Sequence, residues 1–234
     1  YWECVARREA REPLQHITGH AYFRYLNLRV GPGVFVPRPE TEIMVDWAIE
    51  TLRSMDVADP LVVDLGAGSG AIAISIAQEV PRSRVHTVEV DPEALKWAEL
   101  NIEETGHADR VTAHLDDMRA ALPELDGRVD LLISNPPYVP TRESGAIPPE
   151  VRDYDPSPSL WSGEDGLDMI RDLEKVGRRL LRPGGAMAVE HHDGQGIEIP
   201  WFFPEDQGWR DVLNRKDMAR RDRFVVMRRA DADS

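Results

Sequence analysis

The sequence predicts a doubly wound α/β domain, and three observations carry the prediction. From residue 61 onward, apolar strand-like runs alternate with helical patterns, a glycine-rich turn follows the first of those strands, and an acid stands at the end of the next. The opening YWECVARREAREP reads as the tail of a helix that Pro13 ends; because it starts without a methionine, further N-terminal residues are expected upstream. Residues 20–36, HAYFRYLNLRVGPGVFV, alternate apolar and polar around Gly31-Pro32-Gly33, a hairpin pattern. In PRPETEIMVDWAIETLRSM (37–55), Pro39 and Glu40 mark a helix start, and Ile43, Met44, Trp47, Ala48 and Leu52 follow at helical spacing. Then come LVVDL (61–65), AIAISIAQEV (71–80), RVHTVEV (84–90) and PEALKWAELNIEE (92–104): strand, helix, strand, helix. RVTAH (110–114), VDLLIS (129–134), GAMAVEH (185–191) and RFVVMRR (223–229) supply further strands. Their mostly apolar character suits a parallel sheet covered on both faces. GLDMIRDLEKVGRRLL (166–181) predicts a helix closed by Pro183-Gly184-Gly185, and the Pro- and Ser-rich stretch 139–165 a long loop of the kind that carries function.

Composition narrows the partners. With 234 residues and 41% hydrophobic content, the chain can build one main domain and a small appendage. A formal charge of −14, from 42 acidic and 28 basic side chains, weighs against a nucleic-acid duplex or an anionic membrane as principal partner. The single cysteine, Cys4, excludes an internal disulfide and fits a reducing compartment; with no signal peptide and no apolar run of about 18 residues, cytoplasm is the expected location. No motif places a histidine beside Cys4, so a nucleophilic role is not expected of it.

Two motifs carry the chemistry. Asp64-Leu65-Gly66-Ala67-Gly68-Ser69-Gly70 puts glycines at alternate positions between a strand and a helix, so the backbone can turn sharply and a ligand can reach main-chain atoms. The spacing is G-x-G-x-G rather than the dinucleotide G-x-G-x-x-G. Glu89, at the end of the next strand, lies where an acid can accept both hydroxyls of a ribose, and Asp91 before Pro92 reads as a helix N-cap. On the same edge Asp116 is placed to reach an adenine amino group, or to sit as a solvated turn acid, with Asp117 and Met118 beside it. The second motif is Asn135-Pro136-Pro137-Tyr138, ending VDLLIS. Proline offers a carbonyl without a competing N–H, so the Asn135 side-chain oxygen and the Pro136 carbonyl can accept both N–H bonds of an amide or amino nitrogen, while Tyr138 offers a face for stacking. Such a nitrogen is a weak nucleophile whose lone pair two oriented acceptors can redirect. A nucleoside site without a phosphate fingerprint, next to this corner, points to S-adenosylmethionine as cofactor and to transfer of its methyl group to nitrogen. The competing readings are a proline-stiffened loop with an Asx turn, and a nucleotide-dependent oxidoreductase or non-catalytic binding module on the same sheet.

Taken together, REPLQHITGHAYF, VFVPRPETE, VDLGAGSGAIAISIA and ISNPPYVP resemble the bacterial release factor glutamine methyltransferases (the HemK/PrmC group) over almost the whole chain. The resemblance implies a Rossmann-like class I methyltransferase with a mostly parallel seven-stranded sheet and an antiparallel last strand. Residues 1–18 would be the remnant of a helical N-terminal domain, 19–38 a hairpin linker and 39–234 the catalytic domain. It implies methylation of the glutamine in the Gly-Gly-Gln loop of class 1 peptide chain release factors by a monomer. Gly66, Ala67, Gly68, Ser69, Gly70 and Glu89 would hold the cofactor with Asp116, Asp117 would border the adenine, and Asn135, Pro136, Pro137 and Tyr138 would bind the glutamine. Arg38, Pro39 and Glu40 match a segment that lies near the cofactor, or serve only as an elbow. The family's glycine before the final strand is replaced here by Asp217 to Arg223. His191, His192 and Asp193 alternate faces and are not expected to bind metal. Trp161 and Asp155-Pro156-Ser157-Pro158 are expected to shape the loop. An amino-methyltransferase acting on nucleic acid, such as adenine N6, is the alternative within the same chemistry; DNA is not expected as a partner.

Overall fold

The computed structural model describes residues 1–231. Its core is a seven-stranded sheet preceded by two short helices and a hairpin. In chain order the elements are α1 (Trp2–Glu9), α2 (Leu14–Thr18), β1 (His20–Phe23), β2 (Leu26–Arg29), α3 (Glu42–Ser54), β3 (Leu61–Leu65), α4 (Ala71–Glu79), β4 (Arg84–Glu89), α5 (Pro92–Glu104), β5 (Val111–Leu115), β6 (Val129–Ser134), α6 (Pro149–Arg152), α7 (Asp168–Leu180), β7 (Leu181–Glu190), β8 (Trp209–Lys216) and β9 (Asp222–Arg229). The sheet order is β5-β4-β3-β6-β7-β9-β8, parallel from β5 to β7, with β9 antiparallel to both β7 and β8. The order reverses direction between β3 and β6, and open sheets of this kind bind ligands outside the carboxyl ends of the strands at that point.

Both faces of the sheet are buried. Val62, Leu131, Ile133, Ala186 and Val226 face Met44, Val45, Ala48 and Leu52 of α3 and the Ile72, Ile74 and Ile76 side chains of α4. Val63, Leu65, Leu132, Met187 and Val225 point the other way, onto Ile170, Leu173 and Val176 of α7. This period-two alternation of apolar residues on both faces is what βαβ crossovers demand. Gly177 lets α7 approach closely, since a Cβ there would meet Met187 Sδ at 2.7 Å and the Trp209 ring at 2.8 Å.

Three features differ from the sequence expectation. The hairpin does not turn at Gly31-Pro32-Gly33; β1 and β2 pair from His20↔Arg29 to Phe23↔Leu26, and the turn is Arg24-Tyr25. Arg24 adopts φ 51°, held there by Nε and Nη2 donating to Glu79 at 2.6 and 2.9 Å and by an ion pair with Asp46 at 2.7 Å. Gly31 instead permits close contact, because a Cβ would lie 2.8 Å from the Trp97 ring. Pro183-Gly184-Gly185 does not close the helix either; α7 ends at Leu180 and the three residues form an irregularity within β7, where the register to β6 shifts between Val129 and Leu131. The strand β8 was legible only through the family resemblance. Before β9, where the family's glycine is replaced, Arg220 takes the left-handed conformation (φ 61°), and Asp217 accepts the Arg221 amide at 3.0 Å.

Candidate active site

A cavity of about 510 Å³ opens at the carboxyl edge of the sheet, bordered by the ends of β3, β4, β5 and β6 and covered by the loop that follows β6. That volume suits a small-molecule site.

One half is built from main chain. Gly66, Gly68 and Gly70 have φ of 92°, 52° and 81°, a region that costs a side-chain-bearing residue about 1–2 kcal/mol. The Gly66 and Ala67 amides donate to the Val88 carbonyl at 2.9 and 3.0 Å, which folds the turn over the end of β4. Glu89 stands beneath it: Oε2 accepts from the Gly68 amide at 2.9 Å and Oε1 from the Val90 and Asp91 amides at 3.0 and 3.1 Å. The carboxylate is therefore fixed in direction, while a Cβ on Gly68 would find no protein atom within 4 Å. A fixed acceptor and an open glycine cradle fit a nucleoside with its ribose on Glu89, as S-adenosylmethionine requires. Gly66, Ala67, Gly68, Ser69, Glu89, Asp116 and Asp117 all line the cavity. Gly70 does not; it opens α4 and lies against Ile74 and Ala98. Asp91 caps α5 through the Glu93 amide at 2.8 Å. Asp117 bonds the Arg119 amide and guanidinium, which holds its carboxyl below the usual range, and Arg119 in turn reaches Asp172 at 2.8 Å.

The other half is built from side chains that meet from distant segments. Ser134 Oγ donates to the Leu65 carbonyl at 2.6 Å and so locks the end of β6 to the end of β3. Asn135 Nδ2 donates to Thr41 Oγ1 at 3.2 Å. Thr41 is buried in the 3₁₀ turn Pro39–Thr41, so this bond turns the Asn135 amide and leaves Oδ1 available to a ligand. Asn135, Pro136, Pro137 and Tyr138 all line the cavity. The Tyr138 hydroxyl donates to Glu190 Oε1 at 3.3 Å. Glu190 is 1% exposed, and burial pushes its carboxyl up to about 7, opposed by the nearby Thr41 hydroxyl and by the charge of Arg223. Burial also drives the Tyr138 hydroxyl far upward, so it serves as a donor and a face and not as a base. Gln195 Nε2 donates to the Tyr138 and Gly166 carbonyls, each at 3.3 Å, steadying the corner from outside.

Arg38 and Asp155 join the cover to the hairpin exit. They pair at 2.6 Å with the Asp155 side chain fully buried and raised to about 6 by that burial, while Arg38 lies over the Phe35 ring at 4.7 Å. Glu40 is exposed and does not line the cavity, whereas Arg38 does. Trp161 bridges to Val139, and Pro156, Pro158 and Leu160 face the cavity, consistent with a shaping role. His192 reaches the rim, while buried His191 bonds the His192 carbonyl and Asn214. No group of three or more metal-ligating side chains forms among the described residues, and no helix there is long and apolar enough to cross a membrane. Sequence reading missed Thr41, Glu190 and Gln195 as site residues. For Glu190 the signal was present: an acid closing the apolar run Ala186–Val189, directly beside β6, which Asn135 follows.

The methyltransferase small domain family matches residues 28–147. The release factor glutamine methyltransferase of Streptomyces coelicolor is 59% identical over 98% of this chain and 80% of its own length. A 4-amino-L-phenylalanine/4-methylamino-L-phenylalanine methyltransferase of Streptomyces pristinaespiralis is 42% identical over 92% of this chain and 73% of its own. Among solved structures, the release factor-specific protein-(glutamine-N5) methyltransferase of Alicyclobacillus acidocaldarius aligns with a TM-score of 0.51 at 27% identity, over 86% of this chain and 99% of that one. With the cavity and its two motifs in the places this chemistry needs, the chain belongs to the release factor glutamine methyltransferase family.

Proposed function

We propose that the protein methylates the side-chain nitrogen of the glutamine in the Gly-Gly-Gln loop of class 1 release factors, as a cytoplasmic monomer. The observation that carries this is that Asn135 and Pro136 line the cavity while the Asn135 Nδ2 is engaged by Thr41, which leaves Oδ1 free to accept. A glutamine amide has two N–H donors and a planar face. Oδ1 and the Pro136 carbonyl take the donors, and Tyr138 takes the face. S-adenosylmethionine, when bound, supplies the methyl group as an electrophile. Asn135 Oδ1 and the Pro136 carbonyl would hold the amide nitrogen and bias its lone pair toward the methyl group that the bound cofactor would supply, so that the new nitrogen–carbon bond would replace the cofactor's sulfur–carbon bond and the extra proton would pass from the nitrogen to water. No residue of the site need act as base, because the alkylated nitrogen is strongly acidic.

The charge of −14 opposes binding of a duplex, and an adenine would have to be unstacked at a cost of a few kcal/mol before reaching Asn135. A glutamine on a glycine-flanked loop enters without that cost. The Streptomyces pristinaespiralis relative, named for an aromatic amine, raises a small-molecule acceptor as a second reading; the higher identity to the Streptomyces coelicolor relative favours the release factor. Transfer of labelled methyl to purified release factor, a short Gly-Gly-Gln peptide, DNA and 4-amino-L-phenylalanine tests the assignment. Label in intact release factor, much less in the peptide and none in the others supports it; label only in the amino acid or DNA refutes it.

A further inference from the structure

The cover of the cavity is fastened from two sides. Ile147, Pro148 and Val151 line the cavity from the cover, and the backbone around them is one short folded unit: the Arg152 amide donates to the Pro148 carbonyl and the Asp155 amide to the Val151 carbonyl, each at 3.0 Å. At one end of this unit Asp155 is held by Arg38 of the hairpin exit. At the other, Glu150 of α6 is held by the turn that joins α1 to α2, where Arg8 Nη2 donates to Oε1 at 3.1 Å and Arg11 Nη2 to Oε2 at 2.6 Å. In the same seam the Tyr154 hydroxyl donates to the Ala10 carbonyl at 2.8 Å.

The α1–α2 turn is built to meet that cover. Arg11 stands just past the cap of α1 at φ 68°, a left-handed position that helices commonly fill with glycine, because a Cβ there costs about 1–2 kcal/mol. An arginine in that place is explained by where its side chain goes, to a carboxylate 139 residues on in the chain. The turn can serve as an anchor: Arg7 makes a bidentate pair with Glu12, and Arg8 also donates to the Glu12 carbonyl at 3.1 Å, just ahead of α2 and its buried His16. α1 itself buries no residue, so its place is not fixed by the apolar core. We propose that Arg8 and Arg11 are positioning residues for the acceptor: through Glu150 they strap α6 over the cavity, and so set Pro148 and Val151 as the wall against which the glutamine-bearing loop lies. This rests on the glutamine-amide reading above. One exposed ion pair is weak, but two on one carboxylate, with the Tyr154 bond beside them, act together on one short element.

The test uses the intact chain with release factor at saturating cofactor. Glu150→Ala, and Arg8→Ala combined with Arg11→Ala, should each raise KM for release factor by about 3- to 10-fold, the scale of two exposed ion pairs, and change kcat by less than about twofold. Raising the salt concentration should narrow the gap between wild type and variants, since exposed pairs are screened. Glu150→Arg should lose at least as much, and adding Arg11→Glu to it should recover a good part of the loss, which general damage to the fold would not allow. Trypsin should cut after Arg142 and Arg152, both exposed on the cover, faster in the alanine variants than in wild type, with the denaturant midpoint of global unfolding unchanged, because the cover opens locally. A wild-type KM in the alanine variants overturns the proposal, as does a raised KM with cleavage of the cover unchanged or with nothing recovered by the charge swap. If the wild type leaves release factor unmethylated, the functional reading fails, while cleavage of the cover in wild type and variants still decides whether the strap holds it.

Discussion

The two halves of the cavity are built in opposite ways. The half proposed for the cofactor is local and made of main chain: three left-handed glycines within five residues, and one acid 19 residues past the last of them, whose carboxylate is pinned by three backbone amides. The acceptor half is assembled from Thr41, Asn135, Tyr138, Glu190 and Gln195, which touch only because the sheet brings them together. Backbone atoms recognise a shape with little dependence on side chains, so damage to the first half should cost binding. Side chains aim particular atoms, so damage to the second should cost rate.

The sharpest break in that comparison is Asn135→Ala. It removes the acceptor proposed for the substrate nitrogen but none proposed for the cofactor, so kcat should fall by about two to three orders of magnitude, with the dissociation constant of S-adenosylmethionine unchanged by calorimetry. An unchanged rate would remove Asn135 from the chemistry. In the other half, Gly68→Asp places a carboxylate in the open cradle, beside Glu89 and at φ 52°. Like charges brought together cost several kcal/mol, so affinity for the cofactor should drop by more than about 100-fold; titration like wild type would mean the cradle lies elsewhere.

These two halves were not equally legible in the sequence. Gly66 to Ser69 and Glu89 could be read because their spacing in the chain is their geometry, and Asn135 to Tyr138 because proline restricts its own surroundings. Glu190 and Tyr138 could not be paired, because their relation depends on which strand lies beside β6. The same physics explains the fold. The central strands showed as apolar runs because both faces are buried, but β8 is an edge strand with only Trp209 fully buried, and Arg210, Asp211, Arg215 and Lys216 hide it. Gly31-Pro32-Gly33 misled because the true turn is stabilised by ion pairs to Glu79 and Asp46 on other elements.

A single side chain joins the hairpin to the cofactor half, and it offers a smaller effect. Buried Asn101 accepts the Arg29 amide at 2.7 Å and donates to the Arg29 and Ser69 carbonyls, each at 2.9 Å. Asn101→Ala strands those groups and should cost about 1–3 kcal/mol in denaturant unfolding, together with some cofactor affinity; unchanged stability would show that the hairpin is held by its apolar contacts alone.

Smaller still is a pH effect. Asp64 is fully buried at the end of β3, and burial, reinforced by Glu89, raises its carboxyl to about 7 against the Thr87 hydrogen bond at 3.0 Å. The folded state therefore keeps a proton that the unfolded chain loses near pH 4, so the stability this group contributes is full at acid pH and is lost as pH rises from about 4 through 7. Asp64→Asn cannot titrate. Its Tm should fall less between pH 5 and pH 8 than that of wild type, and parallel curves would mean the carboxyl is already ionised across that range.

The central claim is that the acceptor half selects a glutamine amide on a protein. Incubation of purified release factor with the enzyme and S-adenosylmethionine, followed by digestion and tandem mass spectrometry, tests it most directly. The account predicts a gain of one methyl group on the glutamine of the Gly-Gly-Gln loop, abolished by replacing that glutamine. An unmodified glutamine under conditions where the cofactor is consumed, or a methyl group on any other residue, would contradict it.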